Sequence, residues 1–335
     1  MSKNMILAGD IGGTHARLAL FERDRLDLEP AAIEVFRSHE HSGLEEIVRK
    51  FLEGRGARVE SACFGIAGPV RGGRSAGTNI PWVADAHQLA AQLGSPVRLI
   101  NDLEANAYGI ELLKPQDFVV LHAGVADPSG NQGLISAGTG LGCSGLVPGP
   151  LGYAPFPTEG GHADFAARNE LEIELLRYLL ARFDHVSVER VLSGPGLVNI
   201  YQFLRDTRRG AESPSLAEQM AHGDPAATIS RNALDRSSEL CEQALDLFIS
   251  IYGAEAGNLA LRLLATGGVF IGGGIAPAVW RKLLEPPFLK AFVSKGRMAP
   301  MLAEIPLRLI MNDKAAMFGA ARVARLAVQN RAAPG

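Results

Sequence analysis

The sequence predicts an α/β protein built as two similar halves. Three observations carry this reading. Strand-type and helix-type segments alternate through the first hundred residues. An apolar strand, a turn of Gly and Thr and a second apolar strand occur twice, at residues 5–21 and again at 133–147. The chain has 335 residues, enough for about two domains with large cores. One layout used twice in a chain of this length points to two related halves facing each other.

The elements follow in order. Residues 5–8 and 17–21 flank a glycine turn and make a hairpin, and 31–36 form a third strand. Ser42 and Glu45 make a capping box ahead of Leu44, Ile47, Val48, Phe51 and Leu52, an apolar set at helical spacing, and Gly54 stands where that helix stops. A strand over 62–66 ends in Gly65-Ile66-Ala67-Gly68-Pro69, and a buried strand over 97–100 stops at Asn101-Asp102. Near residue 113 the pattern restarts. Strands over 118–121 and 133–137 lead into Gly138-Thr139-Gly140-Leu141-Gly142 and an apolar segment over 144–147. Asn169 with Glu172 caps a helix whose apolar face is Leu171, Leu175, Leu176, Leu179 and Phe183. Helical periodicity then runs over 230–264, and the Ala-rich stretch 314–329 is helical.

Composition excludes several classes. Lys and Arg total 33 against 36 Asp and Glu, a net charge of −3, and no basic cluster tracks a phosphate backbone, so nucleic acid is not expected as a partner. Hydrophobic residues at 47% and charged residues at 21% match a folded globular chain rather than a disordered one. Cys63, Cys143 and Cys241 lie far apart and make neither a disulfide framework nor a paired metal spacing, which suits a reducing cytoplasm. The apolar run before Asp10 is too short for a signal-peptide core. The uncharged stretches 128–158 and 263–280 are crowded with Gly and Pro, so strands and tight turns are expected there and no membrane partner.

The glycine turns carry the chemistry. Asp10-Ile11-Gly12-Gly13-Thr14 puts a carboxylate, two glycines and a hydroxyl at a hairpin tip. There, backbone N–H groups and the Thr14 hydroxyl can converge on phosphate, while Asp10 holds Mg2+ through water. A plain tight hairpin needs the same residues, but the second turn at Gly138, Thr139 and Gly140 favours phosphate. Gly140 to Gly145 also spells G-x-G-x-x-G, a decoy, because Pro148 and Pro150 forbid the helix a dinucleotide fold needs. No P-loop motif occurs. The cluster Gly267 to Gly274, with Gly273 and Gly274 at its end, reads as a strand turning toward a helix opened by Pro277, a place where a flat base can approach the backbone.

Polar groups gather elsewhere. Asp102 follows a strand's carboxyl end, where open α/β sheets place ligands, and can remove a hydroxyl proton; its bland role is a helix N-cap. Glu159-Gly160-Gly161-His162 adds a carboxylate and an imidazole. His162 with Asp164 lacks a third metal ligand, so no metal is expected there. Glu189 falls in the first turn of a helix ending at Ser193-Gly194-Pro195-Gly196. Together Asn101, Asp102, Glu159, His162 and Glu189 supply the donors and acceptors a polyhydroxylated ring demands.

At this point the motifs carry a resemblance. Gly9-Asp10-Ile11-Gly12-Gly13-Thr14 with Ala16-Arg17-Leu18-Ala19-Leu20, Ile100-Asn101-Asp102, Gly138-Thr139-Gly140-Leu141-Gly142, Glu159-Gly160-Gly161-His162-Ala163-Asp164-Phe165, Ser187-Val188-Glu189-Arg190-Val191-Leu192-Ser193-Gly194-Pro195-Gly196-Leu197 and Gly267 to Gly274 resemble the bacterial glucokinase family, in the family's order from about residue 5 to 325. The resemblance implies an actin-like, ribonuclease-H-like ATPase fold, with a cleft between a small domain (1–112 with 313–330) and a large one (113–312). It implies ATP and Mg2+, glucose as acceptor, Asp102 as the base, and Asn101, Glu159, His162 and Glu189 as sugar ligands. A homodimer is the commoner state in such families. His15 departs from the family's usual Asn, and the zinc-binding cysteines of the related repressor and kinase family are absent, so no zinc is expected. Two rivals are a sugar-sensing regulator, which needs a DNA-binding domain ahead of the nine residues preceding Asp10, and an actin-type ATPase without a sugar. Other hexoses as acceptor and polyphosphate as donor stay open.

Overall fold

The computed structural model describes residues 4–25, 29–77 and 80–332. They fall into two compact units, one of Met1–Pro115, Gly149–Phe156 and Asn312–Gly335, the other of Gln116–Pro148 and Pro157–Met311.

The first unit contains β1 (Asn4–Ile11), β2 (His15–Glu22), β3 (Ala32–Arg37), β4 (Arg58–Ile66), the short pair β5 (Arg74–Ser75) and β6 (Ala84–Asp85), and β7 (Val97–Asn101). Its main sheet has the order β3-β2-β1-β4-β7. β1 and β2 form the antiparallel hairpin, while β4 and β7 add parallel. Ile11 lies beside Ile66, and Ile66 beside Asn101, so the β1–β2 turn and Asn101 share the carboxyl edge of the sheet. Strands buried on both faces read as nearly continuous apolar runs. Met5, Leu7 and Ile11 pack on one side with α1 (Leu44–Leu52) and α2 (Ala86–Leu93). Ile6 and Ala8 pack on the other with Ala316, Met317, Ala320 and Ala324 of the C-terminal helix Ala315–Ala332. That helix also lies against α3 (Asp102–Gly109) so closely that a Cβ on Gly319 would collide with the Ala105 carbonyl oxygen.

The second unit contains β8 (Phe118–His122), β9 (Gln132–Ala137), β10 (Leu141–Val147), β11 (Ala154–Thr158, whose last two residues belong here), β12 (Gly268–Gly272) and β13 (Leu307–Ile310). The order is β11-β10-β9-β12-β13-β8. Apart from β8, this is the plan of the first sheet again: an antiparallel hairpin whose inner strand continues into two parallel neighbours. Helices α4 (Glu170–Leu180), α5 (Gly194–Asp206), α6 (Pro214–His222), α7 (Pro225–Leu234) and α8 (Glu239–Leu263) build most of its core. Tyr252 of α8 is fully buried, and its hydroxyl accepts the Ala137 amide at 3.3 Å and donates to the Gly272 carbonyl at 3.2 Å. It thereby bridges the ends of β9 and β12.

Two local expectations are corrected. The Ser42 amide and hydroxyl both bond Glu46 Oε2, at 2.9 and 2.8 Å, so the reciprocal box with Glu45 does not form and Gly43 is the N-cap. The periodicity over 230–264 is two helices, because Arg236 turns back at a φ of 53° and Ser238 starts α8 by accepting the Cys241 amide at 3.3 Å.

Candidate active site

In the first unit the turn between β1 and β2 is closed by a bond from the Gly12 amide to the His15 carbonyl at 2.8 Å. Ser38, which is fully buried, braces it: its amide donates to the Thr14 carbonyl at 3.0 Å and its hydroxyl to the Gly12 carbonyl at 2.7 Å. Trp82 Nε1 in turn donates to the Ser38 carbonyl at 3.0 Å. With the carbonyls held from behind, the Gly13 and Thr14 amides and the Thr14 hydroxyl meet no protein acceptor among the described residues. These are the free donors that an anion needs.

Asp10 precedes this turn. Burial pushes its carboxyl up to about 6, Arg17 opposes that rise, and the neighbouring Asp102 and Asp313 add to it. Asn101 caps α3, accepting the Leu103 amide at 2.9 Å on Oδ1 and donating from Nδ2 to the Gly68 carbonyl at 3.0 Å. The capping role open to Asp102 is therefore taken by its neighbour. Asp102 stands as the first residue of α3, and burial holds its carboxyl above the usual carboxylate range.

In the second unit Gly138, Thr139 and Gly140 form the turn between β9 and β10, with the Gly138 amide bonded to the Gly140 carbonyl at 2.9 Å. Glu189 is not in the first turn of a regular helix as expected. It sits in a single 3-10 turn, Val188–Arg190, and Ser193 opens α5 instead of closing a helix. The Ser193 hydroxyl accepts the Gly196 amide at 3.0 Å and donates to the Glu189 carbonyl at 2.7 Å. The Gly194 amide reaches the Gly138 carbonyl at 2.8 Å, and the Leu141 amide donates to Glu189 Oε2 at 2.8 Å. The 187–196 segment and the second glycine turn are thus one network.

Glu159 is exposed and leads into a 3-10 turn, Gly160–His162, held where Thr158 Oγ1 donates to the Cys143 carbonyl and accepts the Gly160 amide, both at 3.2 Å. His162 and Glu189 line a cavity of about 380 Å3 with Arg182, His185 and Arg190. Asp164 bonds His185 Nε2 at 2.8 Å rather than pairing with His162, and no group of three metal-ligating side chains occurs among the described residues. Gly273 follows β12 at a φ of +85°, and the helix after it is only Ile275–Ala278, with Pro277 inside it rather than opening it. Ser38, Trp82 and Tyr252, which brace the turns, have no local sequence signal.

A hairpin strand continued by two parallel neighbours, met twice apart from the added β8, with a Gly/Thr turn after β1 and after β9, defines the two-domain actin-like fold class. The glucokinase sequence profile matches residues 7–327. The chain is 47% identical to a glucokinase of Nostoc sp. (strain PCC 7120 / SAG 25.82 / UTEX 2576), over 95% of this chain and 98% of that one. It superimposes on the crystal structure of a glucokinase from an Antarctic psychrotroph with a TM-score of 0.83 at 31% identity, covering 97% and 99% of the two chains. A glucokinase from Balamuthia mandrillaris in complex with glucose shares the fold with a TM-score of 0.79 at 22% identity, covering 96% and 94%. The chain belongs to the glucokinase family.

Proposed function

We propose that this chain transfers the γ-phosphoryl group of ATP to the 6-hydroxyl of glucose, giving glucose 6-phosphate and ADP. Family membership supports the reaction. The observation that carries its residue-level form is the shared sheet edge of the first unit, where the free Gly13 and Thr14 amides follow β1 and the half-buried carboxyl of Asp102 follows β7.

Asp102 is the base that takes the proton of the attacking hydroxyl, since a carboxyl with its pKa raised by burial is the stronger base. Phosphoryl transfer otherwise rests on positioning and charge neutralisation. Gly12, Gly13 and Thr14, with Gly138, Thr139 and Gly140, receive the phosphates of ATP, and Asp10 serves them through the metal. Gly273 and Gly274 receive the adenosine. Asn101 and Asp102, together with Glu159, His162 and Glu189, bond the glucose hydroxyls.

Asp10 suits a divalent cation: it is one partly buried carboxylate with Asp102 and Asp313 near it, a concentration of negative charge that a cation relieves. Mg2+ when bound neutralises the charge of the β- and γ-phosphates. Asp10 would hold it through water, in keeping with a cation that retains most of its hydration. A glycolytic role in the cytoplasm, and a homodimer, complete the reading. Among the described residues no helix is long and apolar enough to cross a membrane.

A coupled assay over a panel of hexoses, with ATP and with polyphosphate as donor, tests the proposal. Glucose with ATP and Mg2+ should give the highest kcat/KM. ATP hydrolysis equally fast with and without every sugar, and no sugar phosphate formed, would overturn it.

A further inference from the structure

The turn that carries Glu189 holds two polar groups with no task in the reading above. Ser187 stands at the N-cap of the 3-10 turn Val188–Arg190, where a serine hydroxyl ordinarily accepts an amide, yet it makes no capping bond. The residue is 5% exposed, and its hydroxyl meets no hydrogen-bond partner among the described residues. A hydroxyl so placed has a bond left to make. Arg190 closes the same turn, its amide donating to the Ser187 carbonyl at 3.0 Å and its carbonyl accepting Asn199 Nδ2 at 2.9 Å. The backbone is thus fixed. The Arg190 guanidinium lies over the Phe183 ring, 4.2 Å from the centroid, with no hydrogen bond or ion pair among the described residues.

Both residues line the cavity of about 380 Å3 that His162 and Glu189 also line. The other cations of that lining are spent: Arg182 donates to the Tyr178 carbonyl at 3.0 Å and to Asp206 at 3.3 Å, and His185 is held by Asp164 at 2.8 Å. Arg190 is the cation left over. Of the two carboxylates in the lining, Glu189 already accepts the Leu141 amide, and Asp184 is exposed, where water and salt screen it. One hydroxyl and one planar fork of N–H donors, both unpaired, match the oxygens of a phosphate.

We infer that this cavity takes a hexose monophosphate whose 6-hydroxyl is free, with the phosphate on Ser187 and Arg190 while His162 and Glu189 bond the ring. The chain then has a second acceptor, of the class of glucose 1-phosphate. In that reaction the bond between the γ-phosphorus of ATP and its bridging oxygen breaks, the 6-oxygen of the sugar takes the phosphoryl group, and its proton passes to Asp102. ADP and glucose 1,6-bisphosphate leave. The inference rests on the reading of His162 and Glu189 as sugar ligands and of Asp102 as the base.

Calorimetric titration of the full chain with glucose 1-phosphate, and an assay of the bisphosphate formed with ATP and Mg2+, test it beside the same measurements with glucose. Wild type should form glucose 1,6-bisphosphate. Its affinity for glucose 1-phosphate should fall about fivefold between about 50 and 500 mM salt while that for glucose stays level, because only the first binds through charge. Arg190→Met keeps Phe183 covered and should lower kcat/KM for glucose 1-phosphate about thirtyfold more than that for glucose. Ser187→Ala should lower it about fivefold more. A wild-type chain that phosphorylates glucose but forms no bisphosphate, or Arg190→Met losses that are equal for the two sugars, would overturn the inference. Should Arg190→Met fail to fold, Ser187→Ala and the salt dependence decide. A wild-type chain that forms no glucose 6-phosphate refutes the sugar-site reading itself, whereas glucose 6-phosphate without bisphosphate refutes only the phosphate subsite.

Discussion

Glu189 Oε2 accepts the Leu141 amide at 2.8 Å, so a carboxylate assigned to the sugar also fastens the glycine turn between β9 and β10. One oxygen is committed to the fold, and Oε1 is left for a ligand. The two duties separate on substitution. Glu189→Gln keeps an acceptor for Leu141 and should retain the wild-type melting temperature, whereas Glu189→Ala should lose about 1 kcal/mol of stability from the orphaned amide. Both should weaken glucose binding in calorimetry, Glu189→Ala by roughly 1 to 3 kcal/mol. Unchanged glucose affinity in Glu189→Ala would confine this residue to the turn.

Asp102→Asn removes the proposed base while keeping the shape of the side chain. Because Asn101 rather than Asp102 caps α3, the helix should be unaffected and the protein should fold normally. We expect glucose binding within about tenfold of wild type and kcat lowered by at least ~10^2. More than a tenth of wild-type kcat in steady-state assays would take Asp102 out of the role.

Asp10 bears on stability as well as binding. Burial pushes its carboxyl up to about 6 in the folded chain from the ordinary 3.8, so the group favours the fold when protonated. That contribution is complete below pH 3.8 and lost as pH rises through 6. At pH 8 the wild-type protein therefore holds a buried charge that an amide avoids. Asp10→Asn should be more stable than wild type at pH 8 in urea unfolding without Mg2+, on the order of 1 to 2 kcal/mol, with the gain shrinking steadily toward pH 4.5. A less stable Asp10→Asn at pH 8 would contradict this account of the site.

Adjacent glycines at the end of β12 should behave oppositely. A Cβ on Gly273 would strike the Ala137 carbonyl, and its φ of +85° strains any other residue. Gly273→Ala should cost about 2 to 4 kcal/mol and broaden thermal unfolding. Gly274 has open space around its would-be Cβ, so Gly274→Ala should fold like wild type. If the adenosine lies there, Gly274→Ala raises the KM for ATP while leaving that for glucose unchanged.

The hairpins and the strands that follow them were legible because the strand period and the Gly/Thr turns are local signals, and so was the duplication. The helix starts were harder. Ser42 finds Glu46 rather than Glu45 because Gly43, at a φ of 175°, shifts the first turn by one residue. The break at Arg236 was hidden because the left-handed residue there is not a glycine. Pro195 held the missed clue for Glu189, since a proline two residues after Ser193 marks the start of a helix and not its end. Ser38 and Tyr252 brace the two turns from remote segments, and only tertiary structure brings them there. That a carboxyl at 102 follows a strand end was readable, but its release from capping duty depended on which of two neighbours took the Leu103 amide.

The C-terminal helix also sets an order of events during synthesis. The sheet of the first unit is complete once β7 has emerged from the ribosome, yet Ile6, Ala8, Phe21, Cys63 and Ile100 wait for Ala316, Met317, Ala320 and Ala324, which are translated more than two hundred residues later. At about 5–20 residues per second that interval is roughly ten to forty seconds, long against the folding time of a small domain. The residues of the second unit are translated within it. A nascent chain of this protein thus has only α3 to cover one apolar sheet face while its other unit has time to form, and leaves exposed an apolar surface of the kind chaperones bind.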